Sequence, residues 1–191
     1  MTTRIRVSVL LVMLQFVTTS FADIDIAGVQ IDSSAALSDS TQLVLNGAGI
    51  RRKFFTDLYI GALYLPTLTH SADDILEVPP ANRLYVRILH SKISRQKLIQ
   101  AWTDGFERNH DATQLIPLQK RITQFNDMFS TTVRSDEIFL DYTPSTGTRI
   151  RINDNVRGVI EGADFNRSLL SIWLGRRPIS SSLKHSLLGN D

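Results

Sequence analysis

The segment Thr56–Leu65, TDLYIGALYL, is apolar at almost every position after its first two residues. Alternate positions of an extended chain face opposite sides. Here both sets are apolar: the even-numbered residues from Leu58 to Tyr64 and the odd-numbered residues from Tyr59 to Leu65. A strand that is apolar on both faces needs cover on both sides, from helices or from a second layer. The segment therefore predicts an inner strand of a layered fold.

The stretch before this strand combines glycines with a basic cluster. Gly47-Ala48-Gly49 permits a bulge or a close approach of another backbone. Arg51, Arg52 and Lys53 follow, and they fit either a solvated hairpin end or an anchor for an anionic ligand. Because adjacent strand residues face opposite sides, at most one of the two arginines faces a given cleft. We expect Arg52 and Lys53 to face solvent.

The remaining patterns predict an antiparallel α+β fold. Ile26 to Ile31 is a candidate strand, DSSAALSDS is a candidate loop, and NRLYVRILH alternates like a half-buried strand. EIFLDYTPSTGTRIRIN is a hairpin candidate, and RGVIEG adds another strand. Two apolar stripes predict helices: one contains Leu98, Trp102 and Phe106, and the other contains Leu169, Leu170, Trp173 and Leu174. We expect the tryptophan of each stripe to be a core residue. The long helices form a block between strands, which favours α+β over a doubly wound fold.

The N-terminus has the pattern of a secretory signal peptide. Arg4 and Arg6 precede the apolar residues 7–17, and Ser20-Phe21-Ala22 supplies the small residues of a cleavage site. A membrane anchor is the competing interpretation, but spanning a bilayer takes about 20 apolar residues. We expect residues 1–22 to be a cleaved signal peptide, residues 23–191 to form one domain, and the protein to be periplasmic or secreted.

Charge and cysteine content narrow the class of partner. Without residues 1–22 the 21 basic residues fall to 19, equal to the 19 acidic residues. A nucleic-acid partner would require a basic face beyond the one cluster at 51–53, so we expect none. The chain has no cysteine. Burial and hydrogen bonding must stabilise the fold without disulfides.

The sequence lacks the motifs of several site classes. The four histidines, at positions 70, 90, 110 and 185, do not have the spacing of a helical metal pair. There is no GxSxG motif and no glycine-rich phosphate loop with its lysine. We expect no metal and no cofactor.

Three stretches together resemble the chalcone isomerase-like superfamily, in particular its secreted bacterial branch: GAGIRRKFFTDLYIGALYL, SRQKLIQAW and EGADFNRSLLSIWLGRRPISSSLKHSLLG. The resemblance runs from about Ile26 to Gly189. It implies an open-faced β-sandwich, with a large antiparallel sheet, a layer of helices on one face and a ligand cleft between them. The superfamily contains plant isomerases that cyclise chalcones and non-catalytic proteins that bind fatty acids.

The resemblance assigns roles to two residues near the glycines. Arg51 matches an arginine that stabilises negative charge in the isomerases and holds the carboxylate in the fatty-acid binders. Tyr59 matches a position that is threonine in the isomerases and tyrosine in the fatty-acid binders. Arg51 is compatible with either function, and Tyr59 favours binding. A structural ion pair for Arg51 and ordinary packing for Tyr59 are the alternatives.

A third match argues against catalysis. Lys97 matches a lysine of the isomerases, but Ser94 stands where their catalytic tyrosine precedes it. A serine at this point is typical of a helix N-cap. The leading hypothesis is a periplasmic, non-catalytic protein that binds a fatty acid or another small amphipathic anion through Arg51 and Tyr59. The alternatives are an isomerase of an enone or chalcone-like substrate that uses Arg51 and Lys97, and an adaptor without a ligand.

Overall fold

The computed structural model describes residues 22–190, so all of the predicted signal segment except Ala22 lies outside the described residues. Eleven strands and six α-helices follow one another along this part of the chain. The strands are β1 Ile24–Ile26, β2 Val29–Ile31, β3 Ser34–Ala36, β4 Gln42–Lys53, β5 Thr56–Leu65, β6 Asn82–Ile88, β7 Lys92–Ile93, β8 Thr132–Val133, β9 Glu137–Thr143, β10 Gly147–Ile152 and β11 Asn155–Ile160. The helices are α1 Ala72–Glu77, α2 Arg95–Asn109, α3 Ala112–Leu115, α4 Gln119–Asp127, α5 Ala163–Leu174 and α6 Ser181–Leu187.

Seven of the strands form one antiparallel sheet, in the order β11-β10-β9-β6-β5-β4-β3. The two remaining pairs, β1-β2 and β7-β8, are separate two-stranded ribbons. The predicted α+β class, with an antiparallel sheet and a helical layer, is confirmed. Within residues 22–190, no helix has both the length and the apolar character that crossing a membrane requires.

The strand β5 is buried on both faces, as its sequence predicts. Its odd-numbered residues Tyr59, Leu63 and Leu65 join the core beneath the helices. Its even-numbered residues Ile60, Ala62 and Tyr64 join a smaller core on the other face. Burial on both sides stabilises the middle of the sheet because neither face exposes apolar area to water.

The helical layer packs an aromatic cluster against the sheet. Trp102 of α2 lies 5.2 Å from Trp173 of α5, measured between ring centroids, and 5.9 Å from Phe129. Both tryptophans are at most 1% exposed, so their predicted place in the core is confirmed. Ser94 caps α2, accepting a hydrogen bond from the backbone N–H of Lys97 at 3.3 Å, as predicted.

The second face of the sheet is covered by the N-terminal ribbon, which the sequence patterns did not predict. Residues 26 to 31 are not one strand, because Ala27 and Gly28 adopt positive φ and turn the chain between β1 and β2. The predicted loop DSSAALSDS contains β3. Tyr85 of β6 is only 8% exposed, so β6 is buried on both faces for much of its length rather than half-buried.

Helix α6 packs on β4 and β5 over three glycines. A Cβ atom on Gly47 would lie 2.0 Å from the carbonyl oxygen of Ser186, and one on Gly49 would lie 2.6 Å from the Cβ of Ser186. Gly61 lies opposite Gly49 in the register, and a Cβ atom on it would lie 3.5 Å from the methyl groups of Leu183, an ordinary contact distance. The glycines therefore allow the helix a closer approach than side chains would permit.

One end of the sheet carries the β4–β5 turn. Because the strands are antiparallel, this end also holds the last residues of β6 and β10 and the first residues of β9 and β11. Lys53 pairs with Thr56, which leaves Phe54 and Phe55 as a two-residue turn. We call this end of the sheet the hairpin end.

Candidate functional site

Arg51 and Tyr59 lie directly opposite each other in the β4–β5 register. Tyr59 faces the helices, and a cross-strand partner shares its face, so Arg51 lies on the helix-facing side. Arg52 and Lys53 are exposed, and Arg52 forms an ion pair with Asp57 at 2.6 Å. The expectation that these two cations face solvent is confirmed.

The guanidinium of Arg51 is half-buried without a carboxylate partner in the described chain. The five ion pairs found among residues 22–190 involve other arginines. Its Nη1 donates to the carbonyl oxygen of Arg52, whereas its Nε is buried and has no acceptor among the same residues. A buried N–H without an acceptor is costly, because it has lost water and gained nothing in return.

Tyr59 is 5% exposed, and its phenol oxygen accepts a hydrogen bond from the indole N–H of Trp173 at 3.0 Å. Burial raises the pKa of this phenol to about 12, although the charge of Arg51 acts in the opposite direction. The hydroxyl is therefore neutral at ordinary pH. Within the described chain its own hydrogen has no acceptor, so it remains available as a donor.

Two donors on one face, the Nε–H of Arg51 and the O–H of Tyr59, thus lack acceptors among residues 22–190. A carboxylate is an acceptor-only group with two oxygens, so it can accept from both a guanidinium and a phenol. The arrangement can chemically hold an anionic oxygen pair at the boundary between the sheet and the helical layer.

A comparison with protein-family models identifies the family of the chain. A family model described as chalcone isomerase-like matches residues 23–189. The chain belongs to the chalcone isomerase-like family. A search of curated protein sequences gave no significant match.

Among solved structures, this chalcone isomerase-like chain is similar to a fatty-acid binding protein from Arabidopsis thaliana. The TM-score is 0.67 and the sequence identity is 18%, and the match covers 88% of this chain and 97% of the other. At this identity the similarity shows a shared fold. The family resemblance stated from the sequence motifs is confirmed.

Lys97 is not brought into the site of this chalcone isomerase-like chain. Its side chain is exposed on the first turn of α2, and no hydrogen bond or ion pair in the part of the chain described here joins it to Arg51 or Tyr59. Ser94, which precedes it, is engaged as the helix cap. The pair of Arg51 and Lys97 required by the isomerase hypothesis is therefore not assembled by direct contact.

Trp173 is a site residue that sequence reasoning placed only in the core. Its position in the stripe of α5 explains its burial, and nothing in that spacing indicates a polar contact with Tyr59. A buried indole N–H usually has a partner, which is the one signal that could have prompted a search for an acceptor.

The pockets described in this structure lie away from Arg51 and Tyr59. One, of about 350 Å³, opens on the second face of the sheet and is lined in part by Tyr64, Arg83, Tyr85, Glu137 and Phe139. Two of its charged side chains are already paired: Glu137 accepts from Tyr85 at 2.8 Å and bonds Arg87 at 2.9 Å, and Arg83 pairs with Asp141 at 2.6 Å. Next to Arg51 and Tyr59 the helical layer is packed closely on the sheet.

Proposed function

We propose that this protein is a non-catalytic binder of a fatty acid or a similar amphipathic anion. The observation that carries the proposal is the facing pair of unpaired donors, the Nε–H of Arg51 and the O–H of Tyr59. The carboxylate would accept from both. Charge-assisted hydrogen bonds contribute about 1.5–3 kcal/mol each where water is excluded.

The acyl chain would supply most of the affinity, at about 0.8 kcal/mol per buried methylene. It needs room between the sheet and the helical layer, which α6 now occupies beside the candidate site. Gly49 and Gly61 form the cross-strand pair two residues along from Arg51 and Tyr59, on the same face. Ser186 of α6 lies over Gly49, and Leu183 lies over Gly61. The proposal therefore includes an outward movement of α6 when the ligand binds.

Family membership and the fatty-acid binding structural neighbour support a binding role over an enzymatic one. The exposure of Lys97 and the capping role of Ser94 also support it, because the candidate isomerase residues do not meet. The proposal places the protein in the periplasm or outside the cell, on the basis of the signal-like pattern of residues 1–22.

The test begins with protein purified gently from an exporting host and analysed by native mass spectrometry for bound acyl ligands. Fatty-acid affinity is then measured for the parent, for Arg51→Gln and for the matched control Arg52→Gln. We expect Arg51→Gln to weaken binding about ten- to a hundredfold, since it removes a charge-assisted bond. The control should bind like the parent, because Arg52 is exposed and pairs with Asp57. Equal affinities for Arg51→Gln and the parent would show the assignment to be wrong.

An adaptor without a ligand is the second candidate, favoured by the close packing of α6 on the glycines. It predicts that fatty acid leaves the hydrogen exchange of α6 unchanged. The binding proposal predicts faster exchange at the amides of α6 when ligand is present, because the helix moves outward.

A further inference from the structure

The turn between β4 and β5 exposes two adjacent phenylalanines at the tip of a long hairpin. Phe54 is 89% exposed and Phe55 is fully exposed. Their rings contact little of the protein, so they contribute little to the packing of the fold. Exposed single apolar residues are common, but two neighbouring aromatic rings on a projecting tip form a local apolar surface.

The backbone conformation of Phe54 is unfavourable for a phenylalanine. Its φ is +55°, a left-handed conformation that a bulky residue rarely adopts and that glycine or asparagine adopts readily. Phenylalanine is therefore unfavourable at this position for the turn and also for solvation. Residues held in such conformations concentrate at functional sites.

Cations flank the two rings. Lys53 and Arg52 precede them and are both exposed, and Asp57, the acidic residue nearest the tip, pairs with Arg52. Lys92 and Arg134 are exposed at the same hairpin end of the sheet, together with the apolar side chains of Val133 and Val156. An exposed carboxylate, Asp154, lies there too, so the end is mixed but contains more basic than acidic exposed groups.

We propose that the hairpin tip, residues 52–55, docks on a bilayer surface that carries anionic headgroups. Exposed phenylalanine rings can enter the boundary between the headgroups and the acyl chains of a membrane, where their apolar area leaves water. Exposed lysine and arginine next to them are attracted to anionic lipids, by an amount that corresponds to about fivefold in affinity per cation. Phe54 and Phe55 enter the interface, and Arg52 and Lys53 contact lipid phosphates.

The size of the tip favours a membrane over a protein partner. A stable protein interface buries about 800 Å² on each side. Two aromatic side chains provide about 150–250 Å² each. A narrow convex tip reaches the larger area only if the partner folds around it, whereas lipid headgroups rearrange around any shape. The proposal uses neither Arg51 nor Tyr59, so its test is independent of the test of the proposed fatty-acid site.

The direct test places a fluorescent side chain at the tip. The chain as an exporting host secretes it is prepared as Phe55→Trp, with its N-terminus read from the intact mass. Trp102 and Trp173 are buried and provide a constant background. Vesicles that mix phosphatidylglycerol with phosphatidylcholine should shift the new emission to the blue, and brominated acyl chains should quench it.

A second arm measures partitioning onto the same vesicles. Phe54→Gly with Phe55→Ser should lower the partition coefficient about tenfold or more, because two rings no longer leave water. Glycine suits the positive φ at position 54, so this variant should fold at least as well as the parent. The control is Val78→Ser, which removes a 76% exposed apolar side chain just before β6, at the opposite end of the sheet.

A matched pair of variants tests the contribution of charge to vesicle binding. Lys53→Gln should weaken binding about fivefold, and Lys120→Gln, an exposed cation on α4, should leave it unchanged. Added salt or vesicles of phosphatidylcholine alone should reduce the binding of the parent, because screening and loss of lipid charge remove the attraction.

Two results would overturn the proposal. One is an unshifted, unquenched emission from Phe55→Trp on anionic vesicles. The other is equal partitioning of the tip variant and the parent. If the tip variant also alters the oligomeric state without lipid, the second result would assign the tip to contact between protein copies.

Discussion

Trp173 on α5 donates its indole N–H to the phenol oxygen of Tyr59 on β5 across 3.0 Å. Both side chains are at most 5% exposed, so the bond lies in a region without water. It joins the helical layer to the sheet beside Arg51. The side chain that is proposed to hold a ligand headgroup is therefore also a structural link between the two layers.

Tyr59→Phe should lower the free energy of unfolding by about 1–3 kcal/mol, because it leaves the buried indole N–H of Trp173 without an acceptor. Urea unfolding followed by tryptophan fluorescence measures the change. Tyr142→Phe is the control: its ring is also buried, but its hydroxyl makes no hydrogen bond to another residue of the 22–190 range. If both variants lose the same stability, the Tyr59 bond has no special role.

Gly49→Ala should destabilise the fold by about 1–3 kcal/mol, because the added methyl group would overlap the Cβ of Ser186. Adding Ser186→Gly should recover part of this loss, since it removes the overlapping atoms. Chemical denaturation of the two single variants and the double variant forms a double-mutant cycle. Gly61→Ala is the control, because its new methyl group would meet Leu183 at an ordinary distance of 3.5 Å.

Asp141→Asn should cost about 3–5 kcal/mol, since it leaves the guanidinium of Arg83 largely buried without its carboxylate. The native pair is bidentate, at 2.6 and 2.7 Å, and its side chains are 14% and 11% exposed. Asp57→Asn removes the partner of the exposed Arg52 and should cost less than about 1 kcal/mol. Similar losses of thermal stability in the two variants would contradict this burial argument.

Alkaline pH should destabilise the fold through its tyrosines. Burial raises the pKa of Tyr59 and of Tyr64 to about 12, and it also raises the pKa of Tyr85 and Tyr142. The folded state therefore retains protons that the unfolded state loses near pH 10. This stability is fully present below pH 10 and is lost as the pH rises toward 12. Tyrosinate absorbance should appear together with unfolding, whereas titration near pH 10 with the fold intact would contradict the prediction.

The isomerase hypothesis makes an opposing prediction about turnover. Because Ser94 caps α2 and Lys97 is exposed, we expect the parent chain to cyclise a chalcone no faster than the spontaneous reaction. Absorbance of the chalcone over time measures the rate. A rate enhancement that is lost in both Arg51→Gln and Lys97→Met would restore the enzyme as the better assignment.

The sequence predicted the inner strand β5, the helix stripes and the antiparallel class, because periodic burial determines all three. It could not predict which residues of β4 face the helices and which face the core on the other side of the sheet. Leu43 and Leu45 join the second-face core, and so do Ala48 and Ile50, although their numbers differ in parity. A bulge at Asn46 accounts for the change, and simple alternation does not reveal a bulge.

The candidate site was predictable in part, for a different reason. Family resemblance indicated Arg51 and Tyr59, and the register places them opposite each other. The contact of Trp173 with Tyr59 joins residues 114 positions apart in the sequence, and local spacing carries no information about such a pair. The ribbon β1-β2 was missed because Ala27, not a typical turn residue, adopts positive φ there.

The direction of helix α6 determines which end of the sheet is left accessible when the protein is attached to a support. Leu183 lies over Gly61, and four residues later the carbonyl oxygen of Leu187 accepts from the side-chain amide of Asn46 at 2.8 Å. The helix thus ends near the bulge, on the side away from Phe54 and Phe55. A molecule attached to a solid support through the end of α6 would present its aromatic tip outward, in the orientation that a supported lipid film could meet.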